Sequence, residues 1–294
     1  MDGEKGTVCV TGGTGFIGSW LIKKLLDHGY SVRTTVRSHP EQKRDLSFLT
    51  SLPEATEKLK ILNADLGDPE SFGAAIEGCV GVFHVANPVD FENKESEEIV
   101  TKRAIDGALG ILKACFDSKT VKKVVYTSSA SAVVFNGKNL DVMDESFWSD
   151  VDYVRTLNSP AGPYAISKVL TERAVVEFSE NEGLEVVRLI PPFVVGPFIC
   201  PRLPSSVEFT LERLLGNDSE SGLNPIDMVH VDDVARAEIF LFEHPEAKGR
   251  SRLKGSKLPC LSSKKLLDLG FEFKYGVEEM FDDTIRCCKE KGYL

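Results

Sequence analysis

Short apolar runs alternate with stretches of helical periodicity over the first two thirds of the chain. The apolar runs predict β-strands at Val8 to Val10, Ser31 to Val36, Lys60 to Leu62, Gly81 to Val85, Lys123 to Thr127 and Glu185 to Leu189. The periodic stretches predict helices at Phe16 to Asp27, Ile99 to Phe116 and Tyr164 to Asn181, with Gly29 and Gly183 as C-terminal stops. Strands joined by helical crossovers form a parallel sheet covered on both faces, so the pattern predicts the α/β class.

The pattern changes at Ile190, where prolines begin to interrupt regular elements. They stand at Pro191, Pro192, Pro197, Pro201 and Pro204. We therefore predict a main domain over residues 1–189 and a smaller, loop-rich C-terminal lobe over residues 190–294. One further helix is predicted from Asp232 to Phe242, because its first carboxylates suit a helix N-terminus. Residues 227–242 are expected to pack back on the main domain.

Length and charge limit the classes of function. The 294 residues, 42% of them hydrophobic, can bury a core large enough for an enzyme with a cleft between two lobes, which argues against a small binding module. The 35 basic and 45 acidic residues give a formal net charge of −10. That balance argues against nucleic acid or an anionic membrane surface as a partner.

The cysteines and the first residues predict a cytoplasmic protein. Seven cysteines, without a CxxC pair or zinc-like spacing, stand at Cys9, Cys79, Cys115, Cys200, Cys260, Cys287 and Cys288. Several fall within apolar runs, which favours buried free thiols in a reducing compartment. The first residues lack the basic and apolar regions of a signal peptide, and no apolar stretch is long enough to cross a bilayer. No histidine has metal-ligand spacing, so no metal is expected.

A glycine-rich turn joins the predicted first strand to the predicted first helix. It reads Thr11-Gly12-Gly13-Thr14-Gly15-Phe16-Ile17-Gly18. In this position Gly12 permits a tight turn, Gly15 lets the backbone approach a pyrophosphate, and Gly18 allows the helix to pack closely on the strand. An ordinary turn can carry the same glycines. Their place between first strand and first helix predicts a dinucleotide site, and with it a Rossmann doubly wound parallel sheet with a smaller C-terminal substrate-binding lobe.

The end of the predicted second strand carries arginine where an NAD site usually carries an acid. Arg37, with Lys43 and Arg44 close behind, can hold a 2′-phosphate by charge-assisted hydrogen bonds, which favours NADP(H) as the cofactor. A solvated basic loop is the alternative. Asp65, after the third predicted strand, is a candidate for contact with adenine, although an Asp at a strand end is equally often a turn residue.

Tyr164 and Lys168 lie four residues apart and share one face of a predicted helix. A phenol, with a pKa of about 10, exchanges a proton poorly at neutral pH unless a cation stabilises its phenolate, and Lys168 is expected to supply that charge. Upstream, the segment Tyr126-Thr127-Ser128-Ser129-Ala130-Ser131 ends a predicted strand, where open α/β sheets bind ligands. A hydroxyl there can donate to a carbonyl oxygen as negative charge develops. Each motif alone has an ordinary structural explanation, but together and in this order they predict a catalytic group.

These motifs resemble the extended short-chain dehydrogenase/reductases, and specifically the plant dihydroflavonol reductase-like group. The resemblance covers nearly the whole chain and includes Lys43-Arg44-Asp45, Lys102-Arg103, Lys119-Thr120-Val121-Lys122, Val229-His230-Val231-Asp232-Asp233-Val234-Ala235 and the tail from Lys289 to Leu294. It implies that Ser129, rather than Ser128, polarises the carbonyl. It also implies that Tyr164 is the acid and that Lys168 is its partner, which binds the nicotinamide ribose as well.

The resemblance implies further contacts with cofactor and substrate. The cofactor residues are expected to be Gly12, Thr14, Gly15, Phe16, Ile17 and Gly18 in the turn, Arg37 and Arg44 at the 2′-phosphate, Asp65 and Leu66 near adenine, Val85 and Ala86 after the fourth strand, Tyr164 and Lys168, and Pro191 and Val194 beside the nicotinamide. The substrate residues are expected to be Asn87, Ser131, Val134 and Phe193. Each apolar residue among them also suits core packing.

The sequence differs from the dihydroflavonol reductase-like group at two places, which bear on the expected substrate and on the C-terminal lobe. Where dihydroflavonol reductases commonly carry Asn or Asp after the serine motif, this chain has Val134, which cannot hydrogen-bond flavonoid hydroxyls, and this argues against dihydroflavonol itself. Second, the group has a further strand and helix where Arg250 here runs almost directly into Leu253. Either the lobe is truncated or a stretch has been omitted, and we favour omission.

The resemblance implies an NADPH-dependent carbonyl reductase that converts a ketone of an aromatic, flavonoid- or isoflavonoid-type plant metabolite to a secondary alcohol, without need of an oligomeric partner. Three alternatives stay open. An NADP-dependent alcohol dehydrogenase would oxidise an alkaloid-type alcohol or hemiacetal. A nucleotide-sugar epimerase or dehydratase shares the glycine turn and the Tyr/Lys pair but usually retains NAD. A non-catalytic dinucleotide sensor would not need all three catalytic residues.

Overall fold

The described part of the chain comprises residues 5–37, 45–88, 95–138, 140, 142–214, 227–253 and 260–294 of a computed structural model. Its strands are β1 (Thr7–Thr11), β2 (Ser31–Val36), β3 (Leu59–Asn63), β4 (Gly81–His84), β5 (Lys123–Thr127), β6 (Val142–Met143), β7 (Val186–Ile190), β8 (Phe193–Val195), β9 (Met228–His230), β10 (Gly249–Arg252) and β11 (Cys260–Leu261). Its helices are α1 (Phe16–Asp27), α2 (Ser47–Thr50), α3 (Ala55–Lys58), α4 (Gly73–Ile76), α5 (Glu97–Ser118), α6 (Val151–Thr156), α7 (Gly162–Glu182), α8 (Ser205–Leu214), α9 (Val231–Glu243), α10 (Lys264–Asp268) and α11 (Val277–Glu290), with 3₁₀ turns at Pro69–Phe72 and Ala130–Ala132.

The main sheet of the described residues has seven strands in the order β3-β2-β1-β4-β5-β7-β10. Every neighbouring pair in it is parallel. The order of the strands reverses between β1 and β4, and the carboxyl ends of strands at such a switch point open a crevice where ligands bind. The predicted Rossmann doubly wound sheet is therefore confirmed.

Helices cover both faces of this sheet, because its central strands are apolar on both sides. Val8 and Val10 of β1 belong to the core beneath α1 and α9, whereas Cys9 between them belongs to the core beneath α4, α5 and α7. All three side chains are fully buried. Since successive residues of a strand point to opposite faces, the apolar run gives each layer its own core.

The chain after Ile190 contains more regular structure than its prolines predicted. β10 extends the main sheet beside β7, and α9 packs on α1, where the indole nitrogen of Trp20 donates to Asp232 at 3.0 Å. Beyond the sheet lie α8 and the short parallel pairs β8–β9 and β6–β11. Within the described ranges, no helix has the length and apolar character needed to span a bilayer.

Candidate active site

The serine segment after β5 forms a tight loop that fixes the Ser129 hydroxyl. Ser129 has extended backbone, with φ −158° and ψ 151°, and starts the 3₁₀ turn. Its Oγ accepts hydrogen bonds from the hydroxyl of Ser131 at 2.8 Å and from the Ser131 amide at 3.2 Å. The Ala130 amide donates to the carbonyl of Pro191 at 2.8 Å, which ties this loop to the segment after β7. Two incoming donors leave the Ser129 proton free to point toward another acceptor.

The phenol oxygen of Tyr164 is that acceptor. It lies in the first turn of α7, which begins at Gly162 with Pro163 in its first turn, a position where the missing amide proton costs nothing. Burial raises the pKa of the Tyr164 phenol above its usual value, and a hydrogen bond with Ser129 acts in the opposite direction. The phenol therefore keeps its proton at neutral pH. This direction differs from the one expected from Lys168 alone, because burial is the larger cause.

Lys168 lies one helical turn further along α7 and is buried. Its ammonium group donates to the carbonyl of Thr127 at 3.1 Å and lies 5.7 Å from the centre of the Tyr126 ring. Burial lowers the pKa of Lys168 to about 8, and the negative charge of Glu172 opposes that shift. Lys168 is thus mostly charged at neutral pH, and it loses its proton as the pH rises through about 8.

The glycine turn has the geometry that its motif predicted. Gly12 has φ +76°, and a Cβ there would lie 2.9 Å from the backbone of Ala86; a Cβ on Gly18 would lie 2.4 Å from the carbonyl oxygen of Gly12. α1 begins after Gly15, without a side-chain cap or an acid in its first turn. A cradle with no room for side chains and an open helix N-terminus fits a dinucleotide pyrophosphate.

A threonine and a histidine join β1 and β4 at the switch point. Thr11 Oγ1 lies 2.9 Å from His84 Nδ1 and accepts a hydrogen bond from the Ala86 amide at 3.1 Å. Burial, assisted by the charge of Lys168, lowers the pKa of His84 to about 3, so the imidazole is neutral. His84 thus links β4 to β1 through Thr11 and is a buried part of the crevice wall.

The sequence and structure were compared with known proteins. Residues 8–253 match the family described as NAD dependent epimerase/dehydratase. The chain belongs to this family. It is 56% identical to vestitone reductase of Medicago sativa over 99% of each chain. It is 47% identical to a noscapine synthase of Papaver somniferum over 100% of this chain and 95% of that one. It is 44% identical to a dihydroflavonol 4-reductase of Callistephus chinensis over 98% of this chain and 88% of that one. The crystal structure of the alfalfa vestitone reductase superimposes with a TM-score of 0.88, at 54% identity over 99% of this chain and 100% of that chain.

These likenesses confirm the resemblance to the dihydroflavonol reductase-like group, and they make this family member an oxidoreductase that uses a nicotinamide dinucleotide. The alignment with vestitone reductase spans 322 positions, whereas this chain has 294 residues, so the relative has residues without a counterpart here. That difference agrees with the shortening inferred after Arg250. In the structure, Gly249–Arg252 forms the edge strand β10, and residues 254–259 lie outside the described ranges.

Several predicted cofactor residues line the same edge of the sheet. The Ala86 backbone contacts Gly12, Val85 is half-buried beside it, and Pro191 and Val194 are buried after β7. Thr14, Phe16 and Ile17 lie in the turn and the first turn of α1.

The predicted adenine and 2′-phosphate residues lie at the ends of β2 and β3. Arg37 is exposed just after β2, whereas Arg44 lies outside the described residues. Asp65 Oδ1 accepts from the Gly67 amide at 2.7 Å, which is the turn role considered as the alternative. Leu66 packs against Gly107 of α5, so close that a Cβ on Gly107 would lie 2.7 Å from it.

The predicted substrate residues divide into hydrogen-bonded, packed and exposed side chains. Ser131 donates to Ser129, and the Asn87 side-chain amide donates to the Pro88 carbonyl at 3.0 Å. Val134 packs in a small apolar cluster with Val133, Met143, Ile190 and Leu261. Phe193 is 40% exposed, and its ring stacks on that of Phe209 at 5.3 Å. Their roles as substrate contacts stay predictions.

Sequence reasoning gave no role to Gly13 or to Thr127. A Cβ on Gly13 would lie 2.0 Å from the hydroxyl of Thr34, so only glycine at this position lets the turn pack directly against β2. The signal was the doubled glycine in the motif. Thr127 receives the Lys168 ammonium on its backbone carbonyl, a contact that residue type does not reveal because every residue has a carbonyl.

Replacing Gly18 by Ala should weaken NADPH binding by about tenfold or more, because the new methyl group pushes α1 away from the Gly12 carbonyl. The measurement is a titration by NADPH fluorescence. Gly73→Ala is the matched control, since Gly73 has φ −52° and open space around its Cβ position. Equal affinities of the two variants would contradict the role given to the turn.

Proposed function

We propose that this chain is an NADPH-dependent carbonyl reductase that converts a ketone to a secondary alcohol. The observation that carries the proposal is the hydrogen bond between the half-buried Ser129 and Tyr164 at the carboxyl end of β5, with the buried Lys168 one helical turn away. The names of the relatives, which include vestitone reductase and dihydroflavonol 4-reductase, support the same class of reaction. Oxidation of NADPH across a panel of ketones, followed by absorbance in a single turnover, tests the proposal.

The residues divide the chemistry between binding and proton transfer. The glycine turn and the N-terminus of α1 would hold the cofactor, which supplies a hydride to the carbonyl carbon when bound. The hydroxyls of Ser129 and Tyr164 stabilise the negative charge that develops on the carbonyl oxygen. Tyr164 then gives its proton to that oxygen, and the charge of Lys168 stabilises the phenolate that remains.

The protonation state of Tyr164 at neutral pH suits the reductive direction. Burial raises the pKa of Tyr164, so the phenol is protonated and suited to act as an acid at neutral pH. Oxidation of an alcohol needs the phenolate as a base, and that form becomes populated only at alkaline pH. An oxidation rate that exceeds the reduction rate at neutral pH would reverse this assignment.

NADP(H) is the proposed cofactor, supported by the position of Arg37 at the end of β2. Replacing Arg37 by Ala should weaken NADPH binding by about tenfold to a hundredfold and leave NADH binding unchanged, because only NADPH carries the 2′-phosphate. Competition titrations with the two nucleotides measure this ratio. Lys113→Ala, which removes an exposed charge from α5, is the control and should leave the ratio unchanged. NAD⁺ retained through purification would favour the epimerase alternative.

The proposed substrate is an aromatic ketone of flavonoid or isoflavonoid type. Support comes from the substrates named in vestitone reductase and dihydroflavonol 4-reductase, and from the exposed ring of Phe193, which is backed by Phe209. A planar ring of the substrate can stack on such a surface. Val134 cannot form hydrogen bonds with hydroxyl groups, so a dihydroflavonol is the less favoured member of this class.

The proposed setting is the cytoplasm, with a small molecule as substrate, no nucleic acid or membrane as partner, and no need of an oligomeric partner. The six cysteines on which the structure gives information are all free thiols, as expected in a reducing compartment. The Ser129, Tyr164 and Lys168 side chains and the glycine turn come from one chain.

A further inference from the structure

A carboxylate outside the catalytic group lies directly behind it. Glu172 follows Lys168 by four residues on α7, so the two side chains share one face of the helix. Its side chain has no exposed surface. One carboxylate oxygen accepts a hydrogen bond from the hydroxyl of Ser128 at 2.5 Å. A buried charge is retained in a fold only when its partners satisfy it, so these partners are informative.

The main partner of Glu172 is Arg250 of the edge strand β10. The Arg250 Nε donates to one carboxylate oxygen at 2.6 Å and Nη2 to the other at 3.0 Å, a two-pronged pair that fixes the plane of the carboxylate. Arg188 of β7 is a further cation, with its Nε 3.6 Å away. The ion pair therefore bridges α7 and β10 beneath the end of β5.

Ser128 connects the Glu172–Arg250 ion pair to Ser129 and Lys168. On one side of it in the chain, the Thr127 carbonyl holds the Lys168 ammonium; on the other side, Ser129 carries the hydroxyl bonded to Tyr164. The bond from the Ser128 hydroxyl to Glu172 therefore helps to hold both of its neighbours, in addition to the backbone hydrogen bond from the Ser128 amide to the Leu189 carbonyl at 2.8 Å.

Arg250 also holds the segment that supports the serine loop from the other side. Its Nη1 donates to the carbonyls of Phe147 at 2.7 Å and Glu145 at 3.1 Å, and its guanidinium lies 3.8 Å from the centre of the Trp148 ring. In the same segment, the Ser149 hydroxyl donates to the Ser131 carbonyl at 2.7 Å. Two separate paths thus run from Arg250 to the loop that bears Ser129.

We infer that Glu172 is a positioning residue of the reductase site: clamped by Arg250, it holds Ser128 and so fixes both the Ser129 hydroxyl and the carbonyl that binds Lys168, while its charge keeps Lys168 protonated. This inference rests on the proposed function. The titratable groups that face Lys168 are Tyr164 and Glu172 on its own helix, His84 at the end of β4 and Tyr126 on β5, and burial raises the pKa of both phenols. His84 is neutral, so Glu172 is the anion of this set.

The charge is tested with Glu172→Gln, which keeps the shape of the side chain. Loss of the anion lowers the pKa of Lys168, so the alkaline limb of the kcat profile should move to lower pH by about one unit. Glu177→Gln, an exposed position on the same helix, is the control and should leave the limb in place. An unmoved limb in folded, NADPH-binding Glu172→Gln protein overturns the electrostatic part of the inference.

The tether is tested with Ser128→Ala, a small change that keeps the ion pair and its charge. Because Ser129 and the Thr127 carbonyl that binds Lys168 lose one of their anchors, kcat should fall about tenfold while KM and the position of the alkaline limb change little. An unchanged kcat overturns the positioning role, even where Glu172→Gln does not fold. If Tyr164→Phe retains turnover, the proposed function fails. If Tyr164→Phe is inactive and both variants here behave as the unmodified enzyme, only the present inference fails.

Discussion

Replacing Tyr164 by Phe should reduce kcat by about 10²–10⁴-fold and leave the affinity for NADPH unchanged. The phenol is the proposed proton donor and is hydrogen-bonded to Ser129, and the substitution removes its oxygen while it keeps the half-buried ring. Single-turnover oxidation of NADPH with a ketone substrate measures the loss, and fluorescence titration measures cofactor affinity.

Tyr153→Phe serves as the matched control for that variant. Tyr153 lies on α6 and is 39% exposed, so the same loss of a hydroxyl there should change neither quantity. If both variants turned over at the rate of the unmodified enzyme, Tyr164 would not be the acid, and the reductase mechanism would need a different proton donor.

Replacing Glu238 by Gln should remove a strong pH dependence of stability. Glu238 lies on α9, fully buried, and its carboxyl shares a 2.6 Å hydrogen bond with the Thr127 hydroxyl. Burial raises the pKa of Glu238 from 4.5 to about 8, and the bond with Thr127 opposes this shift. The folded state therefore holds a proton that the unfolded chain releases between these two values.

The sign of the effect follows from that difference in bound protons. The stabilising contribution of Glu238 is complete below its unfolded pKa and is lost as the pH rises through the folded value near 8. Between pH 5 and pH 8, the free energy of unfolding should fall on the order of 3 kcal/mol more in the unmodified protein than in Glu238→Gln. Urea unfolding at the two pH values gives this double difference. Glu246→Gln, at an exposed position after α9, is the control and should show the same pH dependence of stability as the unmodified protein. If the unmodified protein and Glu238→Gln instead lost stability in parallel, Glu238 would be ionised in the folded state.

The elements near the cofactor were predictable from sequence because local pattern and tertiary position agree there. The bounds of α1, β2 and β5 match the prediction, since their apolar residues face cores that the period alone reveals. β10 was not predicted as a strand. Its sequence Gly249-Arg250-Ser251-Arg252 has no apolar run, and it becomes a strand only by pairing with β7. α11 was also missed, although Met280, Thr284 and Cys288 give it a buried stripe.

The order of the motifs was enough to identify the candidate catalytic residues, but it did not predict the burial and neighbouring charges that set their pKa values. A sequence shows that Tyr164 and Lys168 share a helix face; it does not show how completely the fold removes water from them, and burial sets the direction of both pKa shifts. Glu172 carried a readable signal, because it continues the four-residue spacing from Tyr164 and Lys168. Arg250 carried none, since it reaches Glu172 across 78 residues of sequence.

The edge strand β10 limits how this enzyme can be divided into pieces. A fragment that ended at residue 189, where the sequence pattern changes, would keep the glycine turn and the three proposed catalytic side chains. It would also leave the Glu172 carboxylate without Arg250, its two-pronged partner, and only Arg188 at 3.6 Å would remain as a nearby cation in the fragment. Removing one partner of a buried ion pair typically costs about 3–5 kcal/mol, a large share of the stability of a domain. The nucleotide-binding half is therefore not expected to fold as an independent unit, and the strand that completes it comes from near the C-terminal end of the chain.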